Sequence, residues 1–167
     1  MISTSSIGAL AVAVILSGQA GTADADSSGA VTVSGAVTTP RTFTADYLAH
    51  PTCGTHTVGF ETPAGPRSHV YQACPLEPML ADARPIGRPA DKHPFLTLGI
   101  LAVGADGYTA ALSYGDVSST IAHRPAMVAW AEDGTLLDRP TLVMPDDASG
   151  TRYVKQLTEI RVVALAE

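Results

Sequence analysis

The second half of the chain is an ordered series of apolar runs of strand length separated by turn residues, and this pattern constrains the fold more than any other. Residues 96–103 and 108–114 flank Asp106 and Gly107, a dipeptide typical of tight hairpin turns whose two central residues both have positive φ. The series then continues through residues 127–131, 142–144 and 153–163. This alternation predicts consecutive antiparallel hairpins, with Trp130 in the core.

The first half adds a further hairpin and a short helix. Residues 56–62 and 67–73 have strand character, and the segment 63–66, Pro-Ala-Gly-Pro, predicts a turn between them. Residues 75–83 predict a helix that begins with proline and has one apolar face, formed by Leu76, Met79, Leu80 and Ala83. Strands outnumber helices and no regular βαβ alternation appears, so we predict an α+β, β-rich domain with short helices.

Composition excludes one large class of function. The chain has 167 residues, a formal net charge of -6 and only 10 basic residues, which are scattered along it. Nucleic-acid binding normally needs a basic stripe or patch, so we predict that the chain binds no nucleic acid.

The amino terminus resembles a secretory signal. Its apolar stretch, residues 7–16, is too short to cross a bilayer, so we predict no transmembrane segment. Small residues follow, and Asp26 is a plausible first mature residue. We expect a signal peptide at 1–25, a linker at 26–30, one domain at 31–164, and a secreted or extracytoplasmic protein. No Lys or Arg precedes the apolar stretch, and a disordered apolar tail is the alternative.

The chain has two cysteines, Cys53 and Cys74, on the two arms of the first hairpin. A turn centred between Pro63 and Ala64 pairs positions whose numbers add to 127, which sets Cys53 opposite Cys74. Directly opposed residues of antiparallel strands lie within range of a disulfide. We therefore predict a structural disulfide; a redox-active pair lacks the CxxC spacing.

Other motifs of known chemistry are missing from the sequence. The five histidines show no HxxxH or HExxH spacing, so a zinc site has little support, although His56 and His69 share the first hairpin. The acidic pairs Glu132-Asp133 and Asp146-Asp147 stand beside glycines and are interpreted as turn residues. Neither a GxSxG nor a GxxxxGK motif occurs.

Several segments follow one another in the order and spacing of a known domain. They are residues 31–44, 71–83, 106–113, 129–136 and 143–162. Through them the chain resembles the oxidoreductase molybdopterin-binding domain family, whose fold is that of the sulfite oxidase catalytic domain. The resemblance covers nearly all of residues 31–163 and implies a β-rich α+β fold with a mixed sheet.

The resemblance also implies that a metal-binding cysteine is missing from this chain. In catalytic members a cysteine thiolate binds molybdenum just after the strand that here ends at Glu61, and Thr62 occupies that position. A threonine hydroxyl stays neutral near pH 7 and does not replace a soft, anionic thiolate. Neither Cys53 nor Cys74 lies at that position. We therefore predict a domain without its metal ligand.

The family also holds a pterin phosphate with cations from a His-Gly-x-Pro-x-Arg stretch. Residues 138–142 of this chain lack that His and the final Arg. Lys155 matches a lysine of the family, and Arg67 and Arg139 are conceivable anion contacts, so these three are the candidate cofactor-binding residues; exposed, solvated bases are the alternative. We expect no bound cofactor, although molybdopterin is the one that the resemblance implies.

The leading hypothesis is a secreted, non-catalytic binding or accessory module with a molybdopterin-domain fold. One alternative is a molybdopterin-dependent oxidoreductase of the sulfite oxidase type. The other is a metal-free binder of pterin or small anions. The sequence identifies no partner.

Overall fold

The computed structural model describes residues 29–165. The predicted signal peptide and most of the predicted linker lie outside the described residues. At the end of that linker, Ala30 is buried and the Gly29 carbonyl accepts a hydrogen bond from the Trp130 indole at 3.2 Å.

Strands dominate the described part of the chain. They are β1 (Val31–Gly35), β2 (Arg41–Phe43), β3 (Gly54–Thr62), β4 (Gly65–Pro75), β5 (Leu98–Gly104), β6 (Thr109–Ser113), β7 (Met127–Glu132), β8 (Thr135–Val143) and β9 (Leu157–Ala164). Two short α-helices are α1 (Leu76–Ala83) and α2 (Tyr114–Val117), and the segments Ala45–Ala49 and Gly150–Arg152 are 3-10 helices. Between residues 29 and 165, no helix combines the length and hydrophobicity that a membrane crossing requires.

The strands form two sheets. One has the order β2-β1-β9-β5-β6, and the other has the order β3-β4-β7-β8. The β1–β9 pair is parallel and the remaining neighbours are antiparallel, so the first sheet is mixed. This architecture confirms the predicted fold class, a β-rich α+β domain with short helices.

The core lies between these elements and includes the predicted helix face. Leu76, Met79, Leu80 and Ala83 are all buried, because their spacing puts them on one side of α1. Trp130 is fully buried on β7, as predicted. The 3-10 helix Ala45–Ala49 adds Tyr47 and Leu48, which pack against the core.

One of the two central hairpin turns differs from the prediction. At the β5–β6 turn Gly107 has positive φ and Asp106 does not, so the expected pair of left-handed residues is absent there. That pair occurs at the β7–β8 turn instead, where Asp133 and Gly134 have φ of 50° and 80°. The β5–β6 connection is longer and needs only one such residue, since Gly107 donates to the Gly104 carbonyl at 3.0 Å.

Other strand and helix boundaries also differ from the predicted ones. Strand β8 begins at Thr135, well before the predicted start at residue 142, because its first half is an exposed sheet edge without an apolar pattern. Residues 153–156 precede β9 instead of belonging to it. The helix α2 was not predicted; Ser113 and Asp116 form a reciprocal capping box at its first turn.

Candidate functional site

The β3–β4 hairpin carries most of the residues that the sequence singled out, and its register is the predicted one. Thr62 pairs with Gly65 and Gly54 pairs with Ala73, so the two cysteines face each other one position further along. The disulfide between Cys53 and Cys74 is present, as predicted. It joins the two strands at the end opposite to the turn.

Thr62 lies at the tip of this hairpin. Its hydroxyl donates to the Gly65 carbonyl at 2.7 Å and accepts from the backbone N–H of Ala64 at 3.3 Å. Both partners belong to the turn itself, so the side chain stabilises the turn.

The three candidate cations lie on separate elements. Arg67 is exposed on β4 and lines a shallow cavity of about 530 Å³ together with Phe60 and Glu61. Arg139 is half-buried on β8, and Lys155 is exposed just before β9; neither lines the cavity beside Arg67. The structure thus does not bring the three cations together there, and their contact with a ligand stays a prediction.

A second cavity, of about 220 Å³, lies beside the first half of β3. It is lined by three proline rings, Met127, and the side chains of His56, His123 and Arg124. Its wall is mostly apolar, with a few polar groups that converge on it, which is the usual composition of a small-molecule site.

Arg124 is held in place by backbone groups on two sides of this cavity. Its Nη1 donates to the Pro145 carbonyl at 3.2 Å, and its Nη2 donates to the Thr57 carbonyl at 3.0 Å. Its backbone N–H donates to the Asp146 carboxylate at 3.0 Å. Within residues 29–165 its guanidinium takes part in no salt bridge, so no carboxylate neutralises this fixed positive charge directly.

His56, which lines the same cavity, has an unsatisfied polar atom. Its Nε2 is buried and has no hydrogen-bond partner within the part of the chain that the structure describes. Burial lowers the pKa of His56, and the Arg124 charge lowers it further, so the imidazole is neutral near pH 7. An unpaired buried polar atom of this kind costs stability.

Tyr71 and Tyr153 are buried tyrosines whose hydroxyls have raised pKa values. Burial, followed by the Asp147 charge, raises the pKa of Tyr153 to about 12, and its buried hydroxyl also lacks a partner among the described residues. Tyr71 donates to Glu132 at 3.3 Å, and burial and that carboxylate raise its pKa well above the ordinary value. Both hydroxyls are therefore protonated at neutral pH and act as hydrogen-bonding groups, not as bases.

A third group of residues meets at the β7–β8 turn. The Nδ1 atom of His69 on β4 lies 2.7 Å from the Asp133 carboxylate and 3.1 Å from the Glu132 carboxylate. The sequence interpretation treated His69 as a strand histidine and the two acids as turn residues. They meet because β4 pairs with β7, with Tyr71 opposite Glu132, and no local motif encodes that register.

Comparisons with known proteins were made for the sequence and for the fold. No protein-family model matches the sequence, and no curated protein matches it significantly. Among solved structures, the chain is similar to the crystal structure of the sulfane dehydrogenase SoxCD from Paracoccus pantotrophus, with a TM-score of 0.61 and 20% sequence identity over 81% of this chain. The fold is sulfite-oxidase-like. At this identity the similarity establishes the fold alone, and the match spans 38% of the SoxCD chain.

The residues present do not fit the molybdenum cofactor that this fold implies. Both cysteines of the chain are joined in the disulfide, so neither offers a thiolate. Thr62 is neutral and hydrogen-bonded within its own turn. Arg139 and Lys155 do not join Arg67 at its cavity, which also includes the Glu61 carboxylate. No step through molybdenum is derived for this chain.

Proposed function

We propose that this protein is a non-catalytic binding or accessory module that has kept a sulfite-oxidase-like fold and lost molybdenum chemistry. The single observation that carries the proposal is the disulfide, because it occupies the sulfur atoms of both cysteines in the chain. Thiolate is the ligand that the family resemblance requires, and a disulfide sulfur does not supply it. The hydroxyl at Thr62 supports the same conclusion.

The proposed location is outside the cytoplasm. Structural disulfides persist mainly in oxidising compartments, so the Cys53–Cys74 bridge supports export. The apolar stretch at residues 7–16 supports it independently, because it has the length of a signal-peptide core.

The proposal is tested by metal and pterin analysis of protein purified from its native host. We expect no stoichiometric molybdenum by mass spectrometry and no fluorescence from an oxidised pterin. The same analysis of Thr62→Cys reports whether a thiol at the hairpin tip restores loading. Stoichiometric molybdenum in the natural protein would overturn the proposal in favour of a sulfite-oxidase-type oxidoreductase.

A second candidate function is binding of a small anion in the cavity beside β3. The observation that favours it is the fixed Arg124 charge beside a mostly apolar cavity. An anion there would contact a cation that pairs with no carboxylate among residues 29–165. A cavity of about 220 Å³ restricts the ligand, or the part of it that enters, to a small group.

Thermal unfolding with added phosphate or molybdopterin tests this candidate. We expect the midpoint to rise with ligand concentration in the natural protein and to stay constant in Arg124→Gln. Arg41→Gln is the matched control, because it removes an exposed guanidinium outside this cavity and should respond like the natural protein. No shift with either ligand would count against the candidate.

A further inference from the structure

We propose that His69, Glu132 and Asp133 bind a zinc ion at the junction of β4 with the β7–β8 turn. The proposal goes beyond the function above and does not depend on it, since this site shares no residue with the hairpin tip or with the cavity beside β3.

The three side chains already have the spacing of metal ligands. Their ligand atoms all lie within 4.8 Å of one another, and His69 Nδ1 is 2.7 Å from Asp133 Oδ2 and 3.1 Å from Glu132 Oε1. Tetrahedral zinc with bonds of 2.0–2.1 Å separates its ligands by about 3.3 Å. To admit the ion, His69 Nδ1 therefore needs to move about 0.6 Å further from Asp133 and about 0.2 Å further from Glu132.

The two acidic side chains, Asp133 and Glu132, each accept a hydrogen bond from β4. The second oxygen of Asp133 accepts the Val70 N–H at 2.8 Å, and the Asp133 N–H donates to the Val70 carbonyl at 2.7 Å, so two hydrogen bonds fix this residue to β4. The Tyr71 hydroxyl donates at 3.3 Å to Oε1 of Glu132, the same oxygen that lies 3.1 Å from His69 Nδ1. Such outer contacts orient metal ligands and strengthen binding.

The imidazole ring of His69 is also fixed. The Phe60 ring stacks on it, with centroids 5.8 Å apart and planes 19° from parallel. With the ring held in this way, Nδ1 stays directed toward the two carboxylates, and little side-chain freedom remains to be lost when a metal binds.

The charge of the site suits a divalent cation. Among residues 29–165, the salt bridges that Glu132 and Asp133 form are both with His69, and neither acid has a Lys or Arg partner. No fixed cation therefore faces the two carboxyl groups within the described part of the chain.

The ligand set selects the metal. One imidazole nitrogen with two carboxylate oxygens suits zinc, whereas magnesium and calcium prefer oxygen ligands in larger shells. Three protein ligands leave a fourth position for water, and Asp133 is half exposed, so the site opens to solvent.

Isothermal titration of the full, untagged chain with zinc chloride tests the proposal. We expect one zinc per chain, with affinity reduced at least about 100-fold in His69→Ala and in Asp133→Asn. Asparagine keeps a side-chain oxygen that can accept the Val70 N–H, and it tolerates the positive φ of 50° at position 133. This variant therefore removes the negative charge and keeps the turn. Tyr71→Phe removes only the outer hydrogen bond and should weaken binding by about tenfold.

His93→Ala is the matched control, since it removes an exposed histidine outside the site and should bind zinc like the natural protein. The visible spectrum of the cobalt-substituted protein gives a second readout, which should be tetrahedral in the natural chain and lost in His69→Ala. Absence of binding up to about 1 mM zinc, or equal binding by His69→Ala, overturns the proposal. Circular dichroism of each variant excludes loss of fold as the cause.

Discussion

At the scale of single residues, the loop beside the second cavity depends on Arg152. Its guanidinium donates to Asp147 at 2.9 Å through Nε and to Asp116 at 3.2 Å through Nη1. Asp116 in turn caps α2 by accepting from the Ser113 backbone at 2.8 Å. The network connects α2 to the segment that follows Pro145, and it therefore helps to position the wall of the cavity.

The Asp116 carboxyl should make stability depend on pH. Burial raises its pKa, but hydrogen bonds from Ser113 and Arg152 outweigh burial, so the net shift is downward. The unfolded chain therefore binds the proton more readily than the folded chain does. The stability that this carboxylate contributes is complete above about pH 5 and is lost as pH falls through its pKa in the folded state. In Asp116→Asn we expect a shallower fall of the free energy of unfolding between about pH 5 and pH 2. Urea titrations at each pH measure the free energy of unfolding, and Asp46→Asn, a substitution at an exposed position, is the control.

The disulfide should contribute measurably to stability. It closes a loop with a sequence separation of 21, and a bridge of that size contributes about 3 kcal/mol by restricting the unfolded chain. We expect Cys53→Ala with Cys74→Ala to lose about that much in urea unfolding, and reduction of the natural protein to lose a similar amount. An unchanged midpoint after complete reduction would contradict the prediction.

At the scale of elements, the parallel β1–β9 pair needs a glycine. Gly35 has φ of 85° and lies opposite Val162, where a Cβ atom would overlap the Val162 carbonyl oxygen. Gly65, in the β3–β4 turn, has φ of 106° but no atom within 4 Å of a Cβ placed there. Alanine substitutions at the two positions therefore distinguish the cost of backbone strain alone from the cost of strain with steric overlap.

We expect Gly35→Ala to destabilise the protein more than Gly65→Ala. Gly65→Ala should cost about 1–2 kcal/mol from the left-handed conformation alone. Gly35→Ala adds overlap within a packed sheet, which should cost at least about 1 kcal/mol more. Urea unfolding of the two variants measures the difference, and equal losses would show that the strands separate readily at this point.

At the scale of the whole molecule, the two sheets and α1 share one core. Buried side chains come from β1, α1, β7 and β9, and they form a single cluster that includes Val33, Leu80, Trp130 and Ile160. Since removal of either sheet would expose the other's apolar face, the sheets should unfold together.

Trp130 is the only tryptophan of the chain and is fully buried, so its fluorescence reports on the shared core. We expect its urea transition to coincide with that of the far-ultraviolet circular dichroism, which reports on both sheets. Two separate midpoints would show that the sheets unfold independently.

Local patterns allowed several of these features to be predicted. The i, i+3, i+4, i+7 spacing gave the buried face of α1, and the turn at Pro63 and Ala64 gave the β3–β4 register and with it the disulfide. The exposed start of β8 was missed because an edge strand needs no apolar alternation. The capping box that begins α2 was visible in the sequence as Ser113 and Asp116, but no helix was predicted there.

The sequence by itself thus determined the strand-rich class, the first hairpin with its bridge, and the absence of a free thiolate. The tertiary structure alone decided which strands became neighbours: the parallel β1–β9 pair, the contact of His69 with Asp133, and the approach of Arg124 to Thr57. The physical reason is sequence distance. A turn and a helix face are encoded within a few residues, whereas Thr57 and Arg124 lie 67 positions apart and meet only when the entire core has packed.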